Sequence, residues 1–197
     1  MFVIIADQIG SSTDEDRVAG ALTELGARFG ADYPLVPERT AGDELQALTP
    51  SARAALETAL HLLRTRHWRV GLGIGDVRTP LPTSIREAAG SGLTAARAAI
   101  ETADRRPTRF AIQADAPRTR PADRLQPLID LLLAGRERWS DQSWELHDLL
   151  AEGGTQADAA ERLRITPQAV SKRARAANLR IDADARAALV HFLSEAD

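Results

Sequence analysis

Gln168, Ser171, Lys172 and Arg175 recur at spacings of three and four, which on a helix places them on one face. Short hydrogen-bonding groups near the start of such a helix, with cations beyond them, suit reading base edges and gripping phosphates in a major groove. A second set of residues could do different chemistry. Asp7 closes an apolar run, and Asp43 sits in a turn between two short β-prone segments. Two carboxylates brought together, on the order of 4–8 Å apart, can hold Mg2+ or Mn2+ against a triphosphate.

The helix carrying the first set has a defined start, because Thr166 is a good N-cap and Pro167 a good first helical residue. Val170, Ala174 and Ala177 share its inward stripe, while Leu163, Ile165 and Val170 lock it to the preceding helix, where Ala160 is small enough for a close approach. The stretch from Thr155 to Arg173 resembles the core of a helix-turn-helix DNA-binding domain. The resemblance implies that Thr166, Pro167, Gln168, Ser171, Lys172, Arg173 and Arg175 meet double-stranded DNA. Gln168 and Ser171 would lie at bases or adjacent phosphates, and the three cations at phosphates. Such motifs usually turn on Gly, and here Arg164 occupies that place, at a cost of about 1 kcal/mol if its φ is positive. Charge agrees with this reading: Arg162 to Arg180 contains six basic residues and no acidic one. The plainer alternative is a three-helix bundle with an arginine-coated solvated face.

Both sets depend on the elements that hold them. Phe2–Ala6 reads as a strand buried on both faces, 14–29 as a helix, and Leu35–Arg39 and Leu45–Leu48 as strands joined by a hairpin through Thr40–Asp43. A helix over 51–66, a strand over Trp68–Val77, a helix over 85–102 and a strand over Arg109–Ala114 complete a β-α-β-β-α-β-α-β order. Its core is a split β-α-β pattern, so the expected class is α/β (α+β), a ferredoxin-like sheet with helices on one face. Domain one covers 1–116. The polar segment Gln113–Pro121, with two prolines, reads as a linker, so a linker and connector helix cover 117–138. The helix-turn-helix domain, with helices near 141–152, 156–163, 167–178 and 184–193, covers 139–197.

Ile4–Ser12 is similar to the first metal loop of nucleotidyl cyclases, Ala41–Leu45 to their hairpin, Arg69–Gly75 to the next strand, and Gly90–Arg97 to their catalytic helix. Together with the helix-turn-helix, the chain resembles the SatD family of small bacterial proteins. The cyclase resemblance implies Asp7 and Asp43 as metal ligands for Mg2+ or Mn2+, Arg97 as a contact to a nucleotide ligand, and a nucleotidyl-cyclase-like sheet. The chain departs from the cyclase pattern: Thr94 stands where cyclases carry Asn, and its only Asn and only Lys, Asn178 and Lys172, lie in the other domain. Turnover is therefore not expected. Three readings of the acids stay open: strand-end and turn caps, a sensor site, or a metal-dependent nucleotide-processing enzyme.

Composition bounds the rest. The 197 residues carry 25 basic and 28 acidic side chains, a net charge of −3, so any nucleic-acid surface must be local. With no cysteine, disulfide scaffolds and thiolate chemistry are excluded. The four histidines, His61, His67, His147 and His191, show no metal-binding spacing. No apolar stretch approaches the ~20 residues of a membrane span, and the N-terminus lacks a secretory pattern, so a cytoplasmic protein with no membrane partner is expected. Leu125, Leu128, Leu131 and Leu132, with Leu189, Val190 and Phe192, exceed what a small helical unit needs, which predicts a homodimer on a palindromic site.

Overall fold

The computed structural model describes residues 1–116 and 118–197. Among these residues are five strands and eight α-helices, a mixed α/β fold. Their order is β1 (Phe2–Gln8), α1 (Val18–Phe29), β2 (Glu38–Ala41), β3 (Glu44–Thr49), α2 (Ala52–Arg64), β4 (Trp68–Ile74), α3 (Ser91–Ala103) and β5 (Phe110–Ala114). The helices α4 (Thr119–Arg136), α5 (Asp141–Ala151), α6 (Gln156–Leu163), α7 (Pro167–Ala176) and α8 (Leu179–Ala196) follow. None of the described helices is long and apolar enough to cross a membrane.

The strands form one sheet in the order β2-β3-β1-β4-β5, with β1 antiparallel to β3 and β4, and β4 parallel to β5. Consecutive burial of Phe2–Ala6 requires cover on both faces, because neighbouring side chains point opposite ways. The expected one-sided cover is therefore corrected. The helix α3 lies on the face of Val3, Ile5, Leu48 and Ala111, while α2 packs on β1 and β4 with apolar residues outside that cluster. The close approach of α3 explains the alternate glycines of β4: a Cβ on Gly73 would stand 2.3 Å from the Ala96 amide nitrogen.

Several boundaries differ from expectation for local reasons. The second strand starts at Glu38, after Pro37, whose missing N–H breaks a ladder. Only one 3-10 turn forms at Ile85–Glu87, and α3 waits for Gly90, which adopts φ +151° beside the Asp76 carbonyl. A left-handed Asn178 (φ 53°) turns the chain in one residue, so α8 begins at Leu179. The expected linker 113–121 shrinks, since β5 runs to Ala114 and α4 starts at Thr119 with Pro121 in its first turn, where no intrahelical donor is lost. Pro117 lies outside the described residues.

The chain divides into two compact units, Met1–Asp130 with Leu189–Asp197, and Leu131–Ala188. The division falls inside α4 and α8. In the first unit Gln126 of α4 accepts from the Ile112 amide (2.8 Å) and donates to the Phe110 carbonyl (3.4 Å), which covers the outer edge of β5. The apolar surplus expected for a partner is split: Leu125, Leu132 and Leu189 are buried within the chain, while Leu128, Leu131 and Phe192 remain exposed.

Candidate functional site

In the second unit, α6 opens on a capping box: the Thr155 hydroxyl accepts from the Asp158 amide (3.2 Å), and the Asp158 carboxylate accepts from the Thr155 amide (2.8 Å). The helix ends at Arg164, which adopts φ 54°, ψ 42°, the left-handed conformation expected where the motif usually has Gly. Its amide and that of Ile165 return to the carbonyls of Glu161 (3.1 Å) and Ala160 (3.0 Å). Thr166 then caps α7 by accepting from the Ala169 amide (3.2 Å), with Pro167 as first residue. Leu146, Ala159, Ala160, Val170, Ala177 and Leu179 form the core, flanked by Leu163, Ile165 and Ala174.

That core fixes which face of α7 looks outward. Gln168, Lys172 and Arg175 are exposed, as are Thr166 and Pro167, and Ser171 and Arg173 are half-buried. The Thr166 hydroxyl is committed to its cap, and Arg173 leans back toward the Gln142 carbonyl at 3.5 Å. Arg162 meets Glu152 at 3.6 Å and Arg180 meets Asp184 only at 4.0 Å. Among the described residues Arg164, Lys172, Arg173 and Arg175 have no carboxylate partner. The face is a cationic surface without internal counter-charge.

The same unit holds a pair that sequence reading missed. Arg136 and Asp182 are both almost fully buried and joined by two hydrogen bonds of 2.6 and 2.8 Å. Arg186 adds a third to Asp182 (3.0 Å), and the Arg136 guanidinium lies over the Trp139 and Trp144 rings. Burial pushes the Asp182 carboxyl up, but the two arginines more than offset it and hold it below its usual range.

In the first unit, strand register brings the acids together. Asp7 pairs across β1 with Glu44 and Arg69, and the Gln8 amide donates to the Asp43 carbonyl (3.1 Å) at the Gly42–Asp43 turn. Gln8, fully buried, pins the following loop by donating to the Glu15 carbonyl (2.7 Å) and accepting from the Arg17 amide (2.9 Å). The two carboxyl groups are close enough to couple: burial, reinforced by the Asp43 charge and opposed by Arg69, raises Asp7, while the Ser11 hydroxyl holds Asp43 low. A shallow cleft between the loop and the hairpin is lined by Gln8, Ser11, Asp16, Arg39, Gly42 and Asp43.

The same site is densely paired. Arg69 bridges Asp7 and Asp104. Arg97, the residue matched to a nucleotide contact, donates through both terminal nitrogens to Glu44, which also accepts from the Thr40 hydroxyl (2.5 Å). Arg39 is held by Asp16 and by the Gly42 carbonyl (2.7 Å). Hard divalent ions want about six oxygen ligands; here one carboxylate already faces a guanidinium, the other faces a hydroxyl, and no cluster of three ligating side chains occurs among the described residues. In this arrangement the residues do not fit a resident Mg2+ or Mn2+. Neither the Arg69 bridge nor the Arg136–Asp182 pair was legible in advance, because each joins residues set together only by tertiary register. Scans against protein-family models, curated proteins and solved structures found no match to this chain.

Proposed function

We propose that this protein binds double-stranded DNA through α7, as a transcriptional regulator whose sheet unit senses a ligand or pairs protomers. One observation carries the reading: a helix whose start is fixed by Thr166 and Pro167 presents Gln168, Lys172 and Arg175 outward with no internal carboxylate among the described residues to neutralise them. The β2-β3-β1-β4-β5 order supports reading the sheet as ferredoxin-like and cyclase-like, and with it the resemblance to the SatD family. A single motif of this kind buries roughly 600–1,000 Å² on DNA, so specific sites are commonly read by two copies. Exposed Leu128 and Phe192 support a homodimer, which light scattering tests by returning twice the 21.3 kDa chain mass.

The central experiment is a fluorescence anisotropy titration of duplex DNA across salt concentrations. The double variant Lys172→Ala, Arg175→Ala is expected to weaken binding to all sequences and to lower the salt slope by about two. An unchanged slope would reject the assignment. A second reading, a metal-dependent nucleotide-processing enzyme, rests on the juxtaposed Asp7 and Asp43 and requires a metal to displace Arg69 and Ser11 from them. It requires a cyclic or pyrophosphate product from ATP or GTP that disappears in Asp7→Asn.

A further inference from the structure

We infer that the helical unit contains a binding site for a small organic anion with an apolar body, set in the cleft between α5, α7 and the start of α8. The cleft encloses about 540 Å³, within the range of small-molecule sites. Its lining carries Arg175, Arg180 and Arg186 and no carboxylate residue. Arg186 is engaged with Asp182, but Arg175 has no acidic partner among the described residues and Arg180 stands 96% exposed, with Asp184 only at 4.0 Å. Two guanidiniums are thus open to an anionic group.

The remaining walls are apolar. Leu150, Ala174 and Leu179 line the cleft, and Ile181 stands 67% exposed at its rim, a large aliphatic side chain in water beside cations. His147 also lines it. Its Nδ1 faces the Asp148 carboxylate at 3.1 Å, and its Nε2 is closed off from solvent with no protein partner among the described residues. Burial pushes the imidazole pKa down. A ligand with an anionic head and an apolar body would match the open arginines and the aliphatic walls.

The position gives the site a consequence. Ser171 and Arg175 line the cleft and also belong to the outward face of α7. A bound anion would engage Arg175 and withdraw it from DNA, so this regulatory step rests on the DNA-binding reading, whereas the cleft itself does not.

The test uses the full chain and 8-anilinonaphthalene-1-sulfonate, whose sulfonate and aromatic body supply both features. Saturable 1:1 fluorescence enhancement is expected from the folded protein. N-phenyl-1-naphthylamine, the same body without the anion, should bind at least about tenfold more weakly, the scale of one charge-assisted contact. Arg180→Gln should weaken the sulfonate about tenfold and leave the neutral probe unchanged, and Ile181→Ser should weaken both; each side chain is exposed, so thermal melts should match the parent. Equal binding by parent and both variants, or by both probes, overturns the site. Saturating sulfonate should also weaken duplex binding. If the protein binds duplex and the sulfonate does not affect it, the coupling is overturned; if it binds no duplex while the probe pattern holds, the DNA reading fails and the cleft stands.

Discussion

Arginine is used in opposite ways in the two units. At the end of the sheet, Arg39, Arg69 and Arg97 each face a carboxylate, and one of them bridges two. In the helical unit the matched pair, Arg136 with Asp182, is placed inside, and the cations of α7 are left outside without carboxylate partners among the described residues. Self-compensated charge projects little field and leaves few donors for a polyphosphate, whereas uncompensated cations on a rigid helix create the local potential that attracts a polyanion. The sheet unit has the acids a nucleotide enzyme needs but has spent its cations. The helical unit has kept them.

The strongest way to break this comparison is to disturb the internal pair. Asp182→Asn leaves Arg136 buried without its anion and should cost about 3–5 kcal/mol, read by chemical denaturation. The joint replacement Arg136→Met, Asp182→Leu should recover much of that loss, since removing both charges removes the uncompensated one. A cost below about 1 kcal/mol for Asp182→Asn would show that the pair does not anchor the unit. The pH dependence has a fixed sign. Because Asp182 is held below its usual range when folded, its stabilisation is present above the unfolded carboxylate value near ~3.9 and is lost as pH falls through the folded value. Asp182→Asn should flatten that acid limb.

The matching disturbance in the sheet unit is Gly73→Ala. The new methyl would meet the backbone of α3 at 2.3 Å, which cannot yield as a side chain would, and a loss of about 1–3 kcal/mol or more is expected. Gly20 in α1 has nothing within 4 Å of its Cβ position, so Gly20→Ala should instead gain up to about 1 kcal/mol. Equal effects at both sites would show that α3 does not lie directly on the strand.

Arg69→Met sharpens the contrast between spent and free charge. It removes the counter-charge of Asp7 and leaves two coupled carboxylates, which should raise the Asp7 pKa further and open the site to a cation. Mg2+ or Mn2+ at tenfold excess over its Kd should then stabilise the variant by about 1.4 kcal/mol, and Asp43→Asn in the same background should abolish the response. The parent is expected to respond far less. An equal response in the parent would show that the guanidinium does not compete with a metal.

What could be read beforehand follows from how far each signal reaches along the chain. The turn from α6 into the start of α7 was legible to the residue, including the place of the left-handed Arg164, because a cap, a proline and a 3.6-residue stripe are contiguous. The end of α7 was not: the helix stops at Ala176, two residues before the expected Asn178. Asp7 and Asp43 were legible as a pair because the hairpin places one beside the strand that carries the other. The Asp7–Arg69–Asp104 bridge was not, since its partners are 62 and 35 residues apart and meet through strand and helix register. The second helical layer was misread although Phe2–Ala6 already required it: consecutive apolar residues in a strand demand two covers. The late start of α3 depended on Gly90, whose conformation is set by the Asp76 carbonyl packed against it and by nothing local.

The smallest predicted effect compares one backbone conformation in the two units. Arg164 and Arg109 both sit at positive φ, 54° and 55°. Glycine relieves the crowding that an L side chain meets there, by about 1 kcal/mol, less what the freer unfolded chain takes back. Arg164 is exposed and has no side-chain partner among the described residues, so Arg164→Gly should raise stability by several tenths to about 1 kcal/mol. Arg109 uses its side chain: the guanidinium donates to the Arg66 carbonyl at 2.8 Å, tying the turn before β5 to the turn before β4. Arg109→Gly gives up that bond, worth about 1 kcal/mol net, and should come out neutral or destabilising. If the two variants shift the melting temperature alike, the Arg109 contact contributes nothing. If Arg164→Gly destabilises, its side chain has work within the helical unit beyond lending charge to the surface of α7.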